Sequence, residues 1–333
     1  MHRVLIIGCG AIAGGYDADR PAGAAPLTHA GAFSADDRFA IAACVDPDET
    51  ARQAFAARWG IENHAASLEA LGVNAGVFDV VSICSPTAFH AEHCDAALAL
   101  EPRLIFCEKP VADALPEAER LVAACDAAGV ALAVNYTRRW APDLVTLAEQ
   151  VRAGDWGRVL SATGWYTKGV VHNGGHMVDL LAMFVGPMNL VAVGSPVFDH
   201  WDHDPTVSAL LTAKDGASVQ LVAGDARAFT QFELVLACEK GEIAMRDGGF
   251  GIETRRVEGS GTFAGYRNLG ERTASAGRYE GAMSLAIANI ADHLDNANLG
   301  ANPLASTGRN ALAAQRLCEA IRLASLAKQK DET

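Results

Sequence analysis

The sequence predicts an α/β chain in which an N-terminal, doubly wound parallel sheet precedes an α+β domain built on an open, mostly antiparallel sheet. Three observations carry this. The first 135 residues alternate short β-branched runs with alanine-rich stretches, the pattern of buried strands covered by helices. The first apolar run ends in a glycine-rich turn, Gly8-Cys9-Gly10-Ala11-Ile12-Ala13. Beyond about residue 140, apolar and polar residues alternate between Asp-Gly and Lys-Gly turns, as hairpins do.

In chain order, the near-continuous hydrophobic runs 3–8, 39–46, 78–85, 103–109 and 130–136 read as strands buried on both faces. Helices fit between them at about 27–35, 48–58, 88–99 and 114–128. Hairpins are expected over 207–225 and 232–257, and a mobile loop over 257–278, which is rich in Gly, Ser, Thr and Arg. A helix is expected at 175–185 and two more at about 281–297 and 306–328. In the last, Ala314, Leu317, Cys318, Ile321 and Ala324 form one apolar stripe. A chain of 333 residues exceeds the usual single core. The expected domains are 1–137, binding a dinucleotide, and 138–333, binding substrate and forming the oligomer contact, with the final helix packing back on the first domain.

Half the residues are hydrophobic and a fifth are charged, an ordinary globular balance. The formal charge of −13 argues against nucleic acid as the main partner, because that affinity rests on Lys and Arg. No apolar run approaches a membrane span, so no membrane partner is expected either. Eight cysteines without a C-x-x-C pair read as reduced, buried thiols of a cytoplasmic protein.

The glycine turn is a G-x-G-x-x-A form of the dinucleotide fingerprint of a Rossmann domain. Gly8 permits the tight turn, Gly10 lets a pyrophosphate approach the backbone beside Ala11 and Ile12, and small Ala13 lets helix and sheet pack closely. Asp46 ends the second strand, where an acid accepts hydrogen bonds from ribose hydroxyls. No arginine adjoins it in sequence, which favours NAD over NADP; Arg52, one helical turn on, tempers that preference. A methyltransferase also carries a glycine-rich first turn and an acid after its second strand, so the second domain must discriminate.

Four further motifs follow in order: Ser85-Pro86-Thr87-Ala88-Phe89-His90, Cys107-Glu108-Lys109-Pro110, Asn135-Tyr136-Thr137-Arg138-Arg139-Trp140 and Gly175-His176-Met177-Val178-Asp179. With the glycine loop, this set resembles the glucose-fructose oxidoreductase / inositol dehydrogenase / MocA family over nearly the whole chain. The resemblance implies a nicotinamide cofactor held by Ser85, Pro86, Thr87, His90, Glu108 and Lys109 as well as the glycine loop. It also implies a sugar-like substrate and a homodimer or homotetramer formed through the C-terminal sheet. Lys109 matches the family lysine beside nicotinamide and substrate, and His176 the family acid/base histidine.

Elementary chemistry agrees with those two roles. Hydride transfer at a carbinol needs one group to move the hydroxyl proton and another to stabilise developing oxyanion charge. A neutral imidazole suits the first and an ammonium the second.

His172, His176 and Asp179 at H-x-x-x-H-x-x-D spacing also raise a metal site. The turn Asn173-Gly174-Gly175, with Asn173 as N-cap, places His172 outside the helix, and no further ligand cluster supports zinc. Many members of the family carry an aspartate where this chain has His172, so His172 or Asn173 is left to orient or relay. Asn135, Arg138, Tyr166, Lys168, Asn173 and His176 are the candidate substrate contacts, and the loop 16–26 lies beside the cofactor. The expectation is an NAD-dependent oxidoreductase on a carbohydrate-like alcohol or ketone; the alternative is a non-catalytic NAD-binding sensor of the same fold.

Overall fold

The computed structural model describes residues 1–21, 23–296 and 303–332. The chain forms two compact units, Met1–Trp140 with Glu280–Leu312, and Ala141–Tyr279 with Ala313–Thr333. In the first unit, β1 (His2–Ile7) leads through α1 (His29–Ser34) to β2 (Phe39–Val45), then α2 (Glu49–Trp59), β3 (His64–Ala65) and α3 (Leu68–Leu71). The second half runs β4 (Val80–Ile83), α4 (His90–Ala99), β5 (Leu104–Cys107), α5 (Leu115–Ala128) and β6 (Ala131–Val134). All neighbours are parallel in the order β3-β2-β1-β4-β5-β6. The β3 pairing is too short to carry a readable period, so the sequence did not announce it.

Helices cover both faces of this sheet, which is why Val4–Ile6, Val80, Val81, Ile83 and Leu104–Cys107 have essentially no exposed surface. Each buried Leu or Ile contributes about 1.5–3 kcal/mol relative to leaving it in water. The order reverses between β1 and β4, so their carboxyl ends flank the crevice where open parallel sheets take ligands.

The second unit opens with α6 (Pro142–Ala153), which the sequence reading omitted, and β7 (Val159–Tyr166), α7 (Gly174–Val185) and β8 (Met188–Val197) follow. Then come β9 (Thr206–Ala213), β10 (Ser218–Ala223), β11 (Phe232–Cys238), β12 (Gly241–Arg246), β13 (Gly251–Gly259), β14 (Arg267–Leu269) and β15 (Thr273–Ala276). The nine strands order as β14-β13-β12-β11-β7-β10-β9-β8, with β15 also on β13. Every pairing is antiparallel except β7 with β10. Residues 257–278 are therefore more than the expected loop: the end of β13 pairs with β14, and its start with β15. All four residues of β15 are exposed, so no apolar alternation marks it; backbone pairing alone makes it a strand.

Two helices complete the chain, α8 (Ala282–Asp295) in the first unit and α9 (Gly308–Glu332). Residue 297, the expected end of α8, lies outside the described residues. Gly308–Leu312 of α9 belong to the first unit and the remainder to the second. Of its expected stripe, Ala314, Cys318 and Ile321 are buried, whereas Leu317 and Ala324 are half-buried.

The expected loop 16–26 is an excursion spliced into a helix. Tyr16 N–H donates to Ala11 O (2.9 Å), and after the excursion His29 and Ala30 N–H groups return to Ile12 O (3.2 Å) and Ala13 O (2.8 Å). Buried Asp17 closes it by accepting the amides of Leu27 (2.9 Å) and Thr28 (3.0 Å) and the Thr28 hydroxyl. Arg58 of α2 donates to the carbonyls of Asp17 and Ala18. Ala22 lies outside the described residues. Asp17→Ala leaves these buried donors without their acceptor and is expected to cost about 1–3 kcal/mol, read as a lowered urea midpoint at unchanged m-value.

Candidate functional site

In the first unit the glycine loop meets the requirements of a dinucleotide. Gly8 N–H donates to Val45 O (2.8 Å), and its φ of +91° favours glycine. A Cβ there would stand 2.7 Å from Ser85 N, so strand end and loop touch backbone to backbone. A Cβ on Gly10 would meet nothing within 4 Å. Gly10 and Ala11 are exposed, Ile12 is half-buried and Ala13 is wholly buried. The open cradle leaves room for a pyrophosphate to approach the loop backbone.

Asp46 is fixed by two amides: Cys9 N–H to Oδ2 (2.7 Å) and Asp48 N–H to Oδ1 (2.9 Å). Each oxygen keeps acceptor capacity for a ribose hydroxyl. Arg52, the arginine expected one helical turn on, does reach this strand end, where its Nη1 donates to the Asp46 carbonyl (2.6 Å). One helical turn returns the side chain to the strand end.

Ser85, Pro86 and Thr87 follow β4, with Ser85 buried, Pro86 exposed and Thr87 half-buried. Ser85 Oγ lies 2.8 Å from His93 Nδ1, and burial holds the His93 imidazole below its usual range. His90 is not a cofactor contact. Its ring has no exposed surface, Nδ1 lies 2.8 Å from Pro110 O, and Nε2 lies 2.9 Å from Ser85 O. It ties the Ser85 turn to the Pro110 turn instead, because α4 points its first residue at the sheet.

Glu108 and Lys109 follow β5, and both are half-buried. Glu108 turns inward, where Oε1 accepts from His29 Nε2 (3.0 Å) and Asn135 Nδ2 (2.6 Å). Asn135, expected at substrate, is 2 % exposed and holds Glu108, so it is removed from the substrate set. Arg138 is half-buried in the turn Thr137–Trp140, beside Arg139, which donates to Ala305 O (3.4 Å).

In the second unit, His172 and His176 flank the start of α7. A π-helical turn, Gly169–Asn173, precedes that helix, and loop 199–206 accepts the successive amides of residues 168–172. Lys168 N–H goes to Asp199 Oδ2 (2.9 Å), Gly169 to Thr206 Oγ1 (2.8 Å) and Val170 to Pro205 O (3.0 Å). Val171 and His172 N–H groups go to the two oxygens of Asp204, both at 2.9 Å. Gly169 has φ +77°, and a Cβ on it would fall 2.1 Å from Asp204 Oδ2, so no other residue lets the carboxylate in. Burial raises the Asp204 carboxyl above its usual range. Burial acts the same way on Asp199 but is outweighed by its bonds from Lys168, Thr206 and Ala226, which hold it low.

His172 is exposed, with its ring 4.4 Å from that of Trp201, and His200 approaches the same indole at 4.2 Å. His176 is half-buried, its ring edge-on to Phe232 at 6.5 Å, and Asp179 one turn later is buried. Two expectations fail here. Asn173 occupies the N-cap position without capping: its Nδ2 donates to Thr167 O (2.9 Å), because the preceding π turn already winds into α7. Tyr166 is not a substrate group, since strand alternation turns it into the core, where its hydroxyl donates to Val207 O (2.7 Å) and burial raises the phenol well above its usual range. Lys168, half-buried with φ +64°, sits at the turn entrance.

Sequence reasoning missed His29, Asp199, Trp201, Asp204 and Thr206. The run Asp199-His200-Trp201-Asp202-His203-Asp204 was a visible signal, dense in chemistry-bearing side chains, but nothing in it names the amides it accepts. Among the described residues no group of three or more His, Cys, Asp or Glu is arranged to hold a metal ion. Asp204→Asn turns a donor toward the Val171 or His172 amide and is expected to destabilise the protein by about 2–3 kcal/mol, with NADH affinity unchanged. Chemical denaturation beside fluorescence titration checks both parts.

Comparison with known proteins agrees with the first unit's geometry. Residues 2–136 match the family described as oxidoreductase family, NAD-binding Rossmann fold. A D-glucoside 3-dehydrogenase of Escherichia coli (strain K12) is 30% identical over 194 residues, covering 54% of this chain and 50% of that protein. A dTDP-3,4-didehydro-2,6-dideoxy-alpha-D-glucose 3-reductase of Actinomadura kijaniata is 30% identical over 171 residues, 46% of this chain and 51% of that one. The chain thus spans about half the length of these curated relatives. The fold also matches a crystal structure of a mutant 3-ketoreductase from Actinomadura kijaniata in complex with TDP-benzene and NADP, with TM-score 0.75, 20% identity and 97% of each chain covered. Residues 2–136 thus belong to the NAD-binding Rossmann part of the glucose-fructose oxidoreductase / inositol dehydrogenase / MocA family of oxidoreductases.

Proposed function

We propose that this protein is an NAD(P)-dependent oxidoreductase that transfers hydride between nicotinamide and a hydroxyl or ketone of a sugar, polyol, sugar acid or sugar nucleotide. The observation that carries the reading is the open Gly10 cradle beside an amide-anchored Asp46, with Lys109 at the carboxyl end of β5 in the same sheet. The sugar dehydrogenase and sugar-nucleotide reductase among its relatives support the substrate class. When bound, nicotinamide supplies the hydride donor or acceptor.

In this reading the Lys109 ammonium stabilises charge on the reacting oxygen and His176 exchanges its proton, with exposed His172 as a second proton carrier. Arg138, Lys168 and Asn173 are the remaining substrate candidates. NAD is the preferred cofactor because the Asp46 carboxylate would repel a 2′-phosphate; Arg52 is the group that would meet one. Eight free, buried thiols support a reducing, cytoplasmic setting. A carbohydrate-like molecule is the proposed partner, together with further copies of this chain on the sheet face that carries Leu210 and Gln220.

Lys109→Ala is expected to lower kcat by about 100- to 1000-fold, and His176→Ala by about 100-fold or more, each with NADH affinity within about two-fold. Full turnover by either variant on a substrate found in a panel of sugars and sugar nucleotides removes that residue from the mechanism. Asp46→Ser should narrow the preference for NADH over NADPH in the same titration. Light scattering reads the association: Leu210→Glu should release smaller species if that face joins copies, and an unchanged mass excludes it.

A further inference from the structure

β4 and β5 run side by side as parallel strands up to Ile83 and Cys107. One main-chain bond extends that ladder, from Glu108 N–H to Ile83 O (3.0 Å). Beyond it the chain forms two separate turns, Ser85-Pro86-Thr87 with its candidate cofactor contacts and Lys109-Pro110 with the proposed catalytic ammonium. A side chain supplies the next link between them. His90, the first residue of α4, places Nε2 2.9 Å from Ser85 O and Nδ1 2.8 Å from Pro110 O. The ring has no exposed surface, and Ser85 and Pro110 are buried with it.

These partners constrain where the ring protons lie. A carbonyl oxygen only accepts, and a buried one left without a donor is costly. A neutral imidazole has a single N–H, so it donates to one of the two carbonyls while its other nitrogen turns a lone pair toward the second oxygen. At 2.8–2.9 Å two facing lone pairs repel. Turning the ring over exchanges both nitrogens for carbons and satisfies neither oxygen. Only a ring with N–H on each nitrogen donates to both turns at once. His29 differs, because one of its partners is the Ser82 hydroxyl, which can donate as well as accept and so suits a neutral ring.

The titratable groups around His90 leave that requirement in place. Cys107 on β5, with Sγ 3.8 Å from Nδ1, donates to Glu108 O (3.2 Å); its bond with Cys94 and its burial push this thiol well above its usual range, so it brings no charge. Cys84 at the end of β4 and Cys94 on α4 border Cys107, and Cys125 of α5 lies beyond Cys94. His93, on α4 itself, meets Ser85 Oγ at 2.8 Å. Glu108 gives Oε1 to His29 and Asn135 and Oε2 to the Lys109 N–H (3.3 Å). Lys109 directly precedes Pro110.

We propose that His90 is a positioning residue for the cofactor turn and the Lys109 turn, holding both at once when each ring nitrogen carries a proton and only one of them when the ring is neutral. The proposal rests on the reading of these turns as the nicotinamide-binding and catalytic segments. The second tie is present at low pH and is lost as pH rises through the titration of the ring.

Two amide side chains separate the ties, because the nitrogen of glutamine falls near Nε2 and that of asparagine near Nδ1. His90→Gln keeps the Ser85 bond and releases Pro110; His90→Asn does the reverse. Amide hydrogen exchange read by mass spectrometry should rise about ten-fold over residues 109–112 in His90→Gln and over 85–89 in His90→Asn, the other segment staying near its wild-type rate. On a substrate from the sugar panel, His90→Gln should lower kcat about ten-fold with NADH affinity within about two-fold, whereas His90→Asn should weaken NADH binding about ten-fold. In wild-type protein with isotope-labelled histidine rings, nitrogen NMR should show the resonance pair missing from both variants with two protonated nitrogens at about pH 6. Loss of either proton toward about pH 9 should coincide with a step in NADH binding or turnover that both variants lack.

Exchange that changes equally over both segments in the folded variants, or not at all, overturns the proposal, since a ring that only fills space gives no reason for the two segments to separate. So does a ring nitrogen that stays bare at about pH 6, or a ring proton lost without that step. If a variant does not fold, the wild-type spectrum decides. Should the wild-type enzyme turn over no sugar, the functional reading fails while exchange and NMR still decide the role of His90.

Discussion

A main-chain N–H withdrawn from water must find an acceptor, and at several turns of this chain a carboxylate supplies it. Asp46 takes the amides of Cys9 and Asp48 beneath the glycine loop, and Asp17 takes those of Leu27 and Thr28 where the excursion rejoins its helix. Glu108 takes the amide of Lys109, while Asp199 and Asp204 take three of the amides leading to α7. The acidic excess of the sequence is therefore partly internal.

Carboxylates suit this work because one group can accept from two amides on different segments, and a charged acceptor makes a shorter, stronger bond than a carbonyl. The expense is desolvation, and the two units meet it differently. Glu108 is met by the buried His29 ring and the Asn135 amide; Asp199 relies on several converging donors. Asp204, which accepts the amides of Val171 and His172, is held above its ordinary range by burial. A turn held in this way is stiff, which is what positioning a reactive side chain demands.

Legibility followed the range of the signal. The glycine loop and Asp46 were readable because strand, turn and acid lie within one local βαβ pattern, and Lys109 was named from the Cys107–Pro110 motif that follows β5. The hairpins 206–223 and 232–259 were readable from alternation and Gly turns. His90, Asn135 and Tyr166 were misread because their motifs place them near a site, whereas one rotation of a helix or one step of strand alternation turned each side chain inward. β15 was unreadable because an edge strand exposed on both faces needs no apolar period.

The sequence by itself determined the two-part architecture, the parallel sheet with its dinucleotide cradle, and the identity of the ammonium and imidazole proposed for chemistry. Those features rest on short-range periodicity and on residues close together along the chain. Tertiary structure alone decided that Arg52 returns to Asp46, that His29 reaches Glu108 across 79 positions, and that Asp204 holds the turn before His176 across some 30. The reason is physical: hydrogen bonds and desolvation act between atoms brought together by burial, and no local pattern records which distant amide a buried carboxylate will meet.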